Sequence, residues 1–409
     1  MLFANTFRAF RHRDYLIFWI GLVLGHTGTL IQATAQSWLI FQLTDSPFYL
    51  GLDGFCLGLP RVLFSAFGGA VVDRADRKTI FVITQCAFFL MALFLGVMHH
   101  LGLIRVWHLL MISGLTGFFV SFEQPVRQSI LHHLVPREDL PNAVTLYQMV
   151  FNGSMLFGPS IGGMLIPWID TKGCFFVATI GNLIVLITIF LIKIARSRPT
   201  SGATSVTQDM FEGLKVAWQT PIFLALLTVL AVVSFCTKPY TQFMPVFARD
   251  ILQVGAPGLG VLLMAPGAGA IVGGLTLASA RRLPQPHYLL FFLAAGFGTT
   301  IVFFASSTNF ILSIVFLFVA GGFQTTFLSS IATLLQVHTT ELNRGRIMSM
   351  FGLINRGLGP MGSFPFGLMA IWVGAPWTVA ICGIVTIGSV AHVTLARPQL
   401  REAKALSDL

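Results

Sequence analysis

Five ionisable side chains stand inside apolar stretches long enough to cross a bilayer: Asp53, Arg61, Glu123, Lys238 and Arg356. Charge in hydrocarbon is costly, so such groups face one another, a backbone carbonyl or a water-filled cavity. Asp53 and Glu123 are carboxylates, and a carboxylate that titrates between two conformations can couple proton movement to work. Each has a competing reading. Glu123 stands four residues before Arg127, the favourable order for a helical ion pair, and Asp53 lies only about two turns into its span, near the interface. Arg61, Lys238 and Arg356 outnumber the deep acids. Lining one cavity, they make it cationic and suited to an anionic or polar-amphiphilic ligand; paired singly with a carbonyl or an acid, they are structural. Gln32 and Gln36, one turn apart in the first span, are further candidate substrate contacts.

Other chemistries find no support. His99-His100 and His132-His133 are sequence neighbours that point apart on a helix, so no metal site is expected. The five cysteines (Cys56, Cys86, Cys174, Cys236, Cys382) have no ligand spacing and read as small buried hydrophobes. No glycine-rich phosphate cradle with its lysine is present, which argues against ATP-driven transport. No cofactor is expected, and no cluster of catalytic residues marks an enzyme.

The elements that hold these residues follow from composition. Of 409 residues, 55% are hydrophobic and 10% charged, with mean hydropathy +0.81; a soluble domain carries about 25% charge. At about 20 residues per crossing, the length suits twelve spans and leaves no room for a sizeable soluble domain. The expected spans are 15–41, 47–72, 80–98, 107–130, 142–168, 173–193, 221–248, 258–279, 287–305, 309–336, 346–372 and 375–396. The net charge of +10 does not suggest nucleic acid, because the basic residues are split among many short loops. Nineteen lysines and arginines fall on one face, and only Arg105, Lys172 and Arg249 on the other. That asymmetry predicts both termini in the cytoplasm. The arginine-bearing start leads into a first span too long for a cleaved signal, so none is expected.

The densest charge cluster is Asp73-Arg74-Ala75-Asp76-Arg77-Lys78, pinned between two spans. Residues 195–220 form a polar linker whose second part spaces Met210, Phe211, Leu214 and Trp218 as a short amphipathic helix. The linker divides an N-terminal unit, 1–194, from a C-terminal unit, 221–409. Gly68-Gly69 has a counterpart in Gly273-Gly274 and Gly158-Pro159 in Gly359-Pro360, at offsets of 205 and 201. Two landmarks at nearly one offset argue for duplicated six-span halves around a central cavity.

Gly69-Ala-Val-Val-Asp73-Arg74-Ala-Asp-Arg77-Lys78 resembles the loop 2–3 signature of the major facilitator superfamily, and Gly158-Pro159-Ser-Ile-Gly162-Gly163 resembles the core of its antiporter signature. Thr29–Leu39, Leu43–Pro47, Pro125–Gln128, Leu134–Pro136 and Pro141–Ala143 are similar to the branch of macrolide-efflux and enterobactin-export proteins. The resemblance implies an all-α membrane protein of twelve helices in two pseudo-symmetric bundles. It also implies alternating-access export of a drug, macrolide or siderophore from a bacterial-type inner membrane, with proton antiport and a monomeric carrier. In the family the aspartate matching Asp73 clasps the start of span eleven, here Arg346–Ser349, and Arg77 holds a nearby partner; charge that merely fixes topology is the alternative. The second half has Ala278 at the matching position, and Ser154 replaces a glycine usual in the antiporter signature. Uptake or flipping of a metabolite or lysolipid, and a polytopic membrane enzyme, are the rival readings.

Overall fold

The computed structural model describes residues 7–74, 76–192, 215, 218–279 and 285–396, with 66–74, 238, 239, 286, 342 and 394–396 described as backbone only. The described residues are helical almost throughout. In chain order they form α1 (Arg13–Thr44), α2 (Pro47–Arg74), α3 (Arg77–His100) and α4 (Val106–Leu134). A continuous helical run, Leu140–Leu191, breaks at Asp170 (φ 62°, ψ 171°) into α5 (140–169) and α6 (171–191). Few side chains adopt that backbone region. Here the Asp170 carboxylate accepts the Thr171 backbone N–H at 2.6 Å.

The second half begins with α7 (Pro221–Gln242), followed by a wide turn over Phe247–Ile251, where the Leu252 N–H reaches back five residues to the Phe247 carbonyl at 2.8 Å. Next come α8 (Gly255–Ser279), α9 (Pro286–Ser306) and α10 (Phe310–His338). The last run starts at Glu341, passes through a π-helical turn at Ile354–Leu358 and breaks at Gly374 (φ 82°), giving α11 (341–373) and α12 (375–396). Nine runs are long and apolar enough to cross a membrane among the described residues. Two of them are the broken pairs α5–α6 and α11–α12, and the 28-residue α2 is long enough to cross as well, so the described residues hold twelve membrane-length helices. The expected linker helix lies almost wholly outside the described residues.

Buried residues form three clusters whose membership shows how the halves meet. One joins both halves, taking Leu39, Leu50, Leu109 and Phe175 from the first and Phe243, Leu259, Phe304 and Val379 from the second. The second draws only on the first half, around Tyr15, Phe18, Phe81, Ile130 and Tyr147. The third draws only on the second half, around Phe223, Leu226, Leu290, Ile331 and Ile347. The shared core lies at the face opposite the chain termini, and the two separate cores lie at the terminal face. Among the described residues, one core therefore joins the halves on one side of the bilayer, and on the other each half buries a core of its own. Trp107, Trp168, Trp372 and Trp377 stand exposed at helix ends on the packed face, where aromatic side chains suit a membrane–water boundary.

Candidate functional site at the seam between the halves

Two helix pairs close the seam, and glycines set their approach. α2 runs against α11 through Gly51 and Gly367, Gly58 and Pro360, and Val62 and Gly357. α5 runs against α8 through Gly163 and Gly260, and a Cβ on Gly260 would lie 2.9 Å from the Pro159 carbonyl oxygen. The motif Gly158–Gly163 has two working faces. A Cβ on Gly158 would meet the Leu30 Cβ at 2.7 Å and one on Gly162 the Ile31 Cα at 3.2 Å, both on α1. Pro159 and Gly163 instead abut α8 of the other half. Small residues let backbones approach closely in lipid, where packing rather than the hydrophobic effect holds helices together.

Asp53 sits where the seam is closed, 8% exposed. Its carboxylate accepts hydrogen bonds from the Ser113 hydroxyl on α4, the Gln36 amide on α1 at 3.1 Å and the Gln242 amide on α7 at 3.4 Å. Gln36 also donates to Ser113 at 2.6 Å and to the Leu109 carbonyl at 3.3 Å. Two sequence candidates thus share one network, and Gln36 is engaged by protein groups in this conformation. Gln242 comes from the other half. One carboxylate therefore ties three helices of the first half to the second.

A second inter-half contact lies nearby at the same face. Arg249, on the wide turn after α7, pairs with Asp45 at the end of α1 at 2.7 Å and donates to the Phe41 carbonyl at 3.4 Å. Its guanidinium stacks 3.9 Å over the Phe41 ring, and its Nε is held by the adjacent Asp250 at 2.7 Å. Sequence reading missed Arg249, Ser113 and Gln242 as functional residues. Only the scarcity of basic residues on that face could have singled out Arg249.

Toward the terminal face the polar groups change sign. Glu123 and Arg127 form a buried ion pair within α4, and the Gln85 amide donates to Glu123 at 3.3 Å. Arg127 stacks 4.9 Å from the Phe151 ring centre, and its Nε has no partner. Of the two readings of Glu123, the local ion pair is present in this conformation. Arg61 on α2 is half-buried, and Arg356, in the π-helical turn of α11, is exposed. Tyr147 on α5 stands within electrostatic reach of both Arg127 and Arg356. Gln32 is half-buried on α1.

The side chains of Asp73, Arg74 and Lys238 lie outside the described residues, and Gly69, like them, is described by its helical backbone alone, at the end of α2 or, for Lys238, within α7. Arg77 and Lys78 open α3, which is capped by Asp76: its carboxylate accepts the Thr79 N–H at 3.2 Å. That capping role for Asp76 was not read from the loop's charge pattern. No group of three or more metal-ligating side chains occurs among the described residues.

A family profile described as a transmembrane secretion effector matches residues 4–408. The staphyloferrin A transporter of Staphylococcus aureus (strain NCTC 8325 / PS 47) is 24% identical over 88% of this chain and 90% of its own length. The multidrug efflux pump Tap of Mycolicibacterium fortuitum is 26% identical over 95% of this chain and 96% of its own. Among solved structures, a bacterial homologue of the human lysosomal transporter Spinster, in an inward-facing and unoccupied conformation, superposes with a TM-score of 0.70 over 96% of this chain and 98% of that one, at 15% identity. With the loop 2–3 signature, the Gly-Pro motif of α5 and the twelve-helix architecture all in place, this multi-pass membrane protein belongs to the transmembrane secretion effector family of the major facilitator superfamily.

Proposed function

We propose that the protein is a monomeric secondary transporter that exports a small amphipathic or anionic molecule by alternating access, driven by protons, and catalyses no chemical conversion. The observation that carries this reading is the pattern of cores: one shared across both halves at the packed face, and one private to each half at the terminal face. In this reading the halves part around a cavity at the terminal face and are held by a separable seam at the other. The efflux relatives support export, and the excess of basic residues on the terminal face supports placing both termini in the cytoplasm of a bacterial-type inner membrane. In that orientation this conformation faces the cytoplasm, where an export substrate loads. The seam lies within one chain, which supports a monomer. The units 1–194 and 221–409, joined by 195–220, are its two rocking bodies.

Asp53 is the stronger of the two coupling candidates. Its hydrogen bond from Gln242 exists only while the packed face is closed, so its proton affinity must differ between closed and open states. By linkage, protonation then shifts the conformational balance, which is what coupling requires. Glu123 would have to leave Arg127 first. Asp73 serves as a latch at the terminal face against the first turns of α11, which begins at Glu341 and not at the expected Arg346–Ser349, with Gly69, Arg74, Arg77 and Lys78 shaping that loop.

The test is transport in reconstituted vesicles under an imposed proton gradient. Asp53→Asn should abolish gradient-driven export while leaving substrate exchange intact, and Glu123→Gln should retain partial drive. Full gradient-driven transport in both variants overturns proton coupling at these carboxylates. For the latch, Asp73→Asn should widen label-to-label distances between the halves at the terminal face; unchanged distances leave that loop as a topology signal alone.

A further inference from the structure

Arg61 and Arg356 come from opposite halves and flank one contact between α2 and α11. Val62 and Gly357, the next residue after each, are in direct contact: no Cβ would fit on Gly357 without striking the Val62 side chain. Arg61 stands one turn from Gly58, which packs on Pro360, so it flanks the face of α2 that meets α11. Arg356 sits inside the π-helical turn Ile354–Leu358. Such single wide turns re-aim side chains and often mark functional positions.

The surroundings carry an excess of positive charge. The Arg61 guanidinium lies in the field of Arg356. Arg127 on α4 is near, but it is held by Glu123, the carboxylate at this level. Among the described residues no acid pairs with Arg61 or Arg356. Tyr147 on α5 contributes a hydroxyl within electrostatic reach of Arg356. Arg356 is nonetheless exposed, and so free to meet a ligand.

We propose that Arg61 and Arg356 form an oxyanion-binding clamp for a carboxylate-bearing substrate, one guanidinium contributed by each half. Guanidinium groups present paired donors that match carboxylate or phosphate geometry. In the empty carrier the two like charges oppose closure of the terminal face. A bound anion replaces that repulsion with a bridge, so substrate binding itself draws the halves together on the loading side. A neutral or cationic molecule gains nothing from this device. The clamp rests on the export reading and narrows it to anionic substrates.

The test uses the full chain in lipid nanodiscs at low and high salt, with citrate, inorganic phosphate and rhodamine 6G as probes. Binding is read by titration, and distances are read between spin labels on the terminal-face ends of α2 and α11. Citrate should bind in preference to rhodamine 6G, weaken as salt rises, and shorten the label distance. Arg61→Gln and Arg356→Gln should each weaken citrate binding at least tenfold, and Arg61→Lys and Arg356→Lys, which retain charge and fold, should weaken it less. If phosphate matches citrate, the clamp reads a bare oxyanion and the carboxylate assignment falls. Citrate binding that is indifferent to both arginines, or no tighter than that of the dye, overturns the clamp. Counterflow of rhodamine 6G in vesicles separates the two readings: dye transport without citrate binding leaves export standing and the clamp refuted, whereas counterflow of none of the probes, with labels that never move, strikes export as well.

Discussion

Arg249 and Asp45 join the two halves at 2.7 Å on the packed face, but the ion pair is the smaller part of what Arg249 does there. The Asp45 side chain is 74% exposed and that of Arg249 30%. A pair so open to water is worth about 0.2–1 kcal/mol and is screened by salt. The stacking over Phe41 and the bond to its carbonyl add roughly another 0.5–1 kcal/mol from the cation–π contact alone. Asp45→Asn should therefore shift the closed population only slightly. Arg249→Ala should lower it by about five- to tenfold, with the larger effect persisting at high salt. Inter-half distances at the packed face, measured for both variants and for the double variant, check the ranking.

Gly260 should accept no side chain while the seam is closed. The atoms that a Cβ would meet are the Pro159 carbonyl oxygen at 2.9 Å and the Ser160 Cα at 3.0 Å. These are backbone atoms and cannot rotate away. Overpacking of this kind costs about 1–3 kcal/mol, charged here to one conformation only. Gly260→Val should open the packed face and leave the protein folded, seen as longer label distances across α5 and α8 with an unchanged helical signal.

Glu123 and Arg127 should differ in how they tolerate substitution. Arg127→Ala strands a buried carboxylate, a loss of about 3–5 kcal/mol. Glu123→Gln keeps a hydrogen-bonding partner for Arg127 and should be milder. Combining the two should recover stability relative to Arg127→Ala alone. Thermal unfolding in detergent across this cycle measures the coupling directly.

Gln242 should matter for coupling more than for stability. Its bond to Asp53 is long, 3.4 Å, so Gln242→Leu should cost about 1 kcal/mol of closed-state preference. The same change cuts the link between Asp53 and the second half. A reduced dependence of transport on the proton gradient, with substrate exchange preserved, is the expected outcome in vesicles.

Much of this was legible in the residues themselves. Apolar run lengths fix the spans because backbone polar groups in lipid must be satisfied within each helix, and the described helices cover eleven of the twelve expected spans almost end to end. The largest departure was at 221–248, where α7 stops at Gln242 and the wide turn carrying Arg249 takes over. Periodicity could not foresee that turn, since the residues leading into it, 243–248, are as apolar as those of a continuous helix. The order and spacing of Glu123 and Arg127 were enough to indicate their ion pair, because both partners lie on one helix.

Contacts between distant segments were a different matter. Nothing in the chain says that Gln36, Asp53, Ser113 and Gln242 share one network, or that Arg249 reaches Phe41, because such contacts depend on how helices pack across two hundred residues of sequence. The same holds for the face that is closed: the halves and their glycines are written in the sequence, but which ends touch is decided by packing between distant helices. By itself the sequence determined the helices, their number and the residues too costly to leave in lipid. Tertiary structure decided which of those residues meet, since burial only requires that a charge find some partner, and packing selects the partner.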